Sequence, residues 1–174
     1  MLKFMEVIVR LVSSLVDKYF IRDVVKGILI GAILACILNI FFIRIVKIVG
    51  VSMEPTYREG DIVCVNRLDK SPEKGDIVVF KKGKKSIIKR VIAVPGDTIS
   101  ISDSSVYING IKINENYIKE DVFYGMILKY NSLELGEDEY FVMGDNRNNS
   151  TDSRTFGAIS SNSIIGTLLF DIFN

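Results

Sequence analysis

The chain contains no histidine and no tryptophan, and only three prolines and two cysteines in 174 residues. The missing histidine excludes a Ser-His-Asp triad, a Cys-His pair and any His-ligated zinc. Proton transfer near neutral pH therefore has to use Lys, Asp, Glu, Tyr or Cys with a shifted pKa. Cys36 lies inside an apolar run and Cys64 inside the strand-like stretch Asp61-Ile-Val-Cys-Val-Asn66. No disulfide framework is expected, and the cysteine count is silent about redox compartment. A net charge of +1 lacks the basic excess of a nucleic-acid-binding domain, so no nucleic-acid partner is expected.

The near-neutral total hides an asymmetry. Residues 1–49 carry seven Lys/Arg against three Asp/Glu, and residues 50–174 carry fifteen against eighteen. The mean hydropathy of +0.29 is high for a soluble globule, and the excess sits at the N-terminus. Gly27 to Ile43 (GILIGAILACILNIFFI) holds no charge and one strongly polar residue, Asn39. With its flanks the run covers residues 24–46, which as a helix is about 34 Å long, enough to cross a bilayer core. Lys26 and Arg44 would snorkel at its ends. A soluble buried helix fits less well, because the rest of the chain offers only short strands to wrap it. A cleaved signal peptide fits poorly too: 26 residues precede the run, and no small-x-small site follows it. The expectation is one transmembrane helix that stays as a signal anchor. Arg10, Lys18, Arg22 and Lys26 outnumber Arg44, Lys47 and Arg58, placing the N-terminus in the cytoplasm and the domain outside it. Residues 1–23, dense in apolar positions, form a candidate amphipathic helix in the membrane interface.

Beyond residue 50 the pattern becomes β. Ile62–Val65 and Asp76–Phe80 are short β-branched runs, and residues 86–94 follow a lysine-rich turn at 81–85 with Gly83 in it. The turn reads as a solvated hairpin tip, ahead of the alternative of a lipid-headgroup contact. Asn109-Gly110 between Val106–Ile108 and Ile111–Ile113 is the strongest hairpin signal, since Asn-Gly accepts the two positive φ angles of a type I′ turn. A mostly antiparallel β domain is expected over 47–174, with a small inserted β subdomain at about 98–138.

Three segments carry candidate chemistry: Gly50-Val-Ser-Met-Glu-Pro-Thr56, Ile88-Lys-Arg-Val-Ile-Ala-Val-Pro-Gly-Asp97, and Gly144-Asp-Asn-Arg-Asn-Asn-Ser-Thr-Asp-Ser-Arg-Thr-Phe-Gly157. On a strand, Lys89 shares a face with Ile87, Val91 and Ala93. Burial favours the neutral amine, and a neutral lysine beside a serine is a general base. Ser52 sits in a bend between Gly50 and Pro55 that can present both its Oγ and its N–H. Taken singly, each feature is weak: strand lysines usually snorkel, turn serines are common, and Asn/Asp/Ser/Gly-rich stretches are usually exposed loops.

Taken together they resemble the bacterial type I signal peptidases (leader peptidases), in their Gram-positive-like Ser/Lys form. The ordered blocks are a membrane anchor, Ser52–Thr56, Gly75–Phe80, Lys89–Asp97 and Gly144–Gly157, and the likeness runs to about Gly166. The resemblance implies a signal-peptidase-like β fold in which Ser52 is the nucleophile and Lys89 the general base. It implies that the Ser150 hydroxyl orients Lys89, that Asp152 and Arg154 form a supporting ion pair, and that Asp145 pairs with Arg90. The oxyanion hole is expected from the Ser52 N–H; Gly50 stands where some members add a serine hydroxyl. The implied activity is a membrane-bound serine endopeptidase that removes signal peptides from exported preproteins, with no metal or cofactor. Its expected partners are those signal peptides, the lipid bilayer and the protein translocation machinery. Pockets for small side chains at the first and third residues before the cut are also implied. A self-cleaving repressor relative is disfavoured by the anchor and by the absence of Ala-Gly and Cys-Gly. The alternative from another class is a catalytically silent, membrane-anchored peptide-binding or scaffold module.

Overall fold

The computed structural model describes residues 2–120 and 132–173, except for the side chains at positions 2, 15, 17, 38–40, 172 and 173. The chain divides into two units, residues 1–41 and residues 42–174.

The first unit is a single helix, α1 (Leu2–Phe42). It continues without a break through position 23, where sequence reading separates a tail from a span. Large apolar side chains along it are exposed, Ile28, Ile30 and Phe41 among them by about two-thirds of their surface. Among the described residues no helix is long and apolar enough to cross a membrane. The span expected over residues 24–46 thus does not emerge as such, and its last residues are not helical. Ile43, Ile45 and Val46 are β-branched and find strand partners, so the helix stops at Phe42.

The second unit is built on antiparallel strands. In chain order these are β1 (Ile43–Lys47), β2 (Ile62–Asn66), β3 (Ile77–Lys82), β4 (Lys85–Ala93), β5 (Thr98–Ser102), β6 (Ser105–Ile108), β7 (Ile111–Lys112), β8 (Leu133–Glu134) and β9 (Glu139–Met143), then the short helix α2 (Ser153–Phe156), β10 (Ile159–Ser160) and β11 (Ile164–Phe173). Seven of them form one sheet in the order β1-β2-β11-β3-β4-β9-β10, and four form a second, β7-β6-β5-β8.

Period-two alternation sorts the core. On β9, Tyr140 and Val142 pack with Val78, Phe80 and Val91, while Phe141 and Met143 face Ile99, Val106 and Ile108 of the second sheet. A third cluster, Ile48, Val63, Val65 and Val79, fills the other side. The β6–β7 hairpin turns at Asn109 and Gly110, both at positive φ (52° and 79°), as an Asn-Gly type I′ turn requires. The second sheet leaves and rejoins the first at one narrow neck. There the Gly96 N–H donates to Leu135 O (3.1 Å) and the Leu135 N–H donates to Asp97 O (2.9 Å).

Candidate active site

The turn after β1 is fixed from below. Ile48 is buried and its backbone bonds both Asp61 O and the Gly60 N–H. Met53 is wholly buried, and its carbonyl accepts from the Tyr57 N–H at 2.9 Å. Gly50, at φ 87°, supplies the left-handed residue that reverses the chain before Ser52. The loop after β9 grips this turn: the Asn146 N–H donates to Ser52 O (3.1 Å) and Asn146 Nδ2 to Val51 O (3.0 Å). The Ser52 N–H makes no hydrogen bond among the described residues, so an unused donor sits beside the hydroxyl.

Lys89 reaches this hydroxyl from mid-β4. Its Nζ donates to Ser52 Oγ at 2.6 Å and to Ile88 O at 2.8 Å, and the residue is 3% exposed. Burial pulls its pKa down to about 8, and the Asp152 and Asp145 carboxylates keep it from falling further. Lys89 and Ser52 line a cleft of about 240 Å³ together with Val46–Val49 and Ser86–Ile88 of β4.

The remaining sequence-derived residues surround this pair. Arg90 is bidentate on Asp145 (Nε to Oδ1 2.9 Å, Nη2 to Oδ2 2.6 Å), and the Thr56 hydroxyl donates to the same carboxylate at 2.5 Å. Arg154 is bidentate on Asp152, through Nε to Oδ1 and Nη2 to Oδ2, both at 2.9 Å. Burial opposes ionisation of Asp152, yet Arg154, the Gly144 N–H and the Ser150 hydroxyl together hold its carboxyl below the usual range. The expected bond from Ser150 to Lys89 is not made. The Ser150 hydroxyl donates instead to Asp152 Oδ2 (2.7 Å), because the buried carboxylate two residues away is the stronger acceptor. Ser150 therefore stands behind Lys89 through Asp152.

Sequence reading missed a strap over the site. Arg147, 2% exposed, pairs in bidentate fashion with Glu115 and also donates to Gly144 O. Tyr117 donates to Glu115 and lays its ring under the Arg90 guanidinium, 4.1 Å from the centroid. The Lys119 ammonium pairs with Glu54 at 2.7 Å. Arg147 was in view within the 144–157 block, but Glu115, Tyr117 and Lys119 lie in a stretch without periodicity and left no signal.

Gly144 is a tight point of the site. A Cβ there would lie 2.4 Å from the backbone carbonyl oxygen of Ser52 and 2.3 Å from Ser150 Oγ. Gly144→Ala is expected to push the Ser52 turn away from Lys89. A melting point lowered by several degrees and a turnover reduced at least about tenfold would show this; unchanged turnover would show that the turn yields freely.

Among the described residues no cluster of three or more acidic or cysteine side chains is placed to hold a metal ion. Both cysteines are free, Cys36 exposed and Cys64 buried. What the arrangement can supply is a nucleophilic hydroxyl, an amine of lowered pKa and a free N–H donor, the equipment of a serine hydrolase that works without histidine.

Comparison with known proteins agrees. The family profile described as signal peptidase, peptidase S26 matches residues 21–173. Signal peptidase I of Bacillus amyloliquefaciens is 35% identical over 167 residues, covering 90% of each chain. Signal peptidase I S of Bacillus subtilis is 35% identical over 164 residues, covering 88% of this chain and 89% of the relative. A crystal structure of a signal peptidase I from Enterococcus faecalis aligns with TM-score 0.51 and 34% identity, over 58% of this chain and 99% of that one. The chain belongs to the signal peptidase family, peptidase S26, and is a peptide-bond hydrolase of the serine type.

Proposed function

We propose that the protein is a membrane-anchored endopeptidase that cleaves signal peptides from exported preproteins, using Ser52 as nucleophile and Lys89 as general base. The observation that carries this reading is the 2.6 Å contact between Lys89 Nζ and Ser52 Oγ, with the lysine buried and its pKa lowered to about 8. A neutral Lys89 takes the hydroxyl proton as Oγ attacks the scissile carbonyl. The resulting oxyanion is stabilised by the Ser52 N–H, and the new ammonium then protonates the leaving amine. The same amine, neutral again, activates water against the acyl-enzyme. Asp145 and Arg90, with Ser150, Asp152 and Arg154, position the base.

The substrate lies extended in the cleft. β1 is the outermost strand of its sheet, and β4 pairs with β9 only from Arg90 onward. Each therefore offers a free backbone edge to a peptide strand. The relatives' names concern signal peptidases, and signal peptides end in small residues at the first and third positions before the cut.

The anchor lies within the expected span of residues 24–46, in the part that α1 carries as far as Phe42, where exposed isoleucines and leucines favour lipid over water. The N-terminus is cytoplasmic, the domain extracytoplasmic, and the translocation machinery the natural neighbour.

The test uses the full chain in detergent with a synthetic signal peptide ending Ala-x-Ala. Cleavage after the last Ala is expected, abolished by Ser52→Ala in the enzyme and by Leu or Phe in place of that Ala in the peptide. Binding without cleavage would instead favour the silent peptide-binding module.

A further inference from the structure

The β3–β4 hairpin ends in four lysines within five residues, Lys81, Lys82, Lys84 and Lys85, around Gly83 at φ 59°. All four are exposed. From Ile77 to Gly96 the chain has no acidic residue to neutralise them. Lys82 rests over the Phe156 ring at 3.9 Å, an apolar seat that turns no charge inward to a carboxylate. Nothing in the proposed reaction uses this cluster.

Its place in the fold is informative. Residues 46–49 and residues 86–89 flank the same cleft, and both run toward Ser52 and Lys89. Followed back from the site, the first leads through β1 to Ile43, where α1 ends; the second leads through β4 to the lysines. The tip thus lies at the end of the sheet where the chain arrives from α1. Four residues of β4 separate Lys89 from Lys85, roughly 13 Å.

We propose that the hairpin tip is a docking surface for anionic phospholipid headgroups. This rests on the anchor proposed for α1, whose chain joins the sheet at Ile43. Four like charges on a rigid hairpin, facing a negative surface within a Debye length, bind through additive and salt-sensitive attraction. Among the described residues none of the four lysines forms an ion pair.

Trypsin reads the contact directly, because the tip is a tryptic site. The full chain is reconstituted into vesicles of phosphatidylcholine alone, or with about 30 mol % phosphatidylglycerol. Nicking at Lys81–Lys85 is followed by mass spectrometry against nicking at Lys112, an exposed lysine in the second sheet beyond the far end of β4. Phosphatidylglycerol is expected to slow tip nicking about tenfold relative to Lys112, with the protection lost near 0.5 M salt. The variant K81Q/K84Q/K85Q, which keeps Lys82 as a cut site, should be nicked equally on both vesicles. Flotation of the wild-type chain with both vesicle types but equal tip nicking would overturn the lipid contact alone. Failure to float with either would overturn the anchor and the tip contact with it.

Discussion

Lys89→Arg is expected to leave a folded protein that cleaves its signal-peptide substrate at least about a thousandfold more slowly than wild type. Arginine retains the charge but cannot give up its proton, so it can neither accept the Ser52 hydroxyl proton nor activate water. Ser52→Ala should be equally inactive, and the double variant no worse than either, since nucleophile and base act as one unit. Wild-type kcat/KM should climb with pH through about 8, the value to which burial lowers Lys89. The same shift costs stability at neutral pH. The folded-state pKa of about 8 lies below the unfolded 10.5, so between them the unfolded chain binds more protons and stability rises with pH. Below that window the buried ammonium costs on the order of 3 kcal/mol. Lys89→Met should consequently be inactive yet melt higher than wild type at pH 7, as scanning calorimetry would read. A lowered melting point for Lys89→Met, or substantial cleavage by folded Lys89→Arg, would sink the neutral-base mechanism.

Asp152→Ala is expected to destabilise the domain by about 3–5 kcal/mol, because it strands the buried Arg154 guanidinium without its bidentate partner. The melting point should drop by on the order of 10 °C. Asp152→Asn keeps the volume and part of the hydrogen bonding, and separates stability from chemistry. The Asp152 charge raises the Lys89 pKa against burial, so its removal should move the pH midpoint of activity below that of wild type. An unmoved midpoint in folded Asp152→Asn would mean the carboxylate is only structural. Because the folded pKa of Asp152 is depressed, its stabilising contribution is present above the unfolded value of 3.8 and is lost as pH falls through the folded value. Wild type should therefore lose more stability than Asp152→Asn on acidification below about 4.

Local rules carried much of this far. The turn around Gly83 and the Asn109-Gly110 hairpin were legible because a positive φ narrows the choice of residue to a few types. Lys89 was legible only in company: a strand lysine alone usually snorkels, and it was the ordered blocks around Ser52, Lys89 and residues 144–157 that singled it out. Contacts set by tertiary packing were not legible. No sequence period marks Glu115, Tyr117 and Lys119, which meet Arg147, Arg90 and Glu54 only after the second sheet has folded back. The choice of Ser150 between Lys89 and Asp152 depends on where folding sets the Asp152 carboxylate, the stronger partner, a matter of ångströms. The end of α1 was misjudged because Ile43, Ile45 and Val46 suit a lipid-facing helix and a strand equally well. Pairing with Asn66, Cys64 and Val63 decided for the strand.

The two hydrogen bonds at Gly96, Asp97 and Leu135 close a port between the first sheet and the second. Chain enters and leaves there side by side, so an addition at an outer turn of the second sheet need not part β4 from β9. The β5–β6 turn at Asp103 and Ser104, both at positive φ, lies outside that port. Lengthening it costs only loop-closure entropy, about 0.6 kcal/mol for each doubling. The register of Arg90 with Met143, which fixes where the lysine next to Arg90 stands, is set on the inner side of the port. A whole foreign module could be grafted at that turn, and the reaction centre would keep its geometry as its cargo grew.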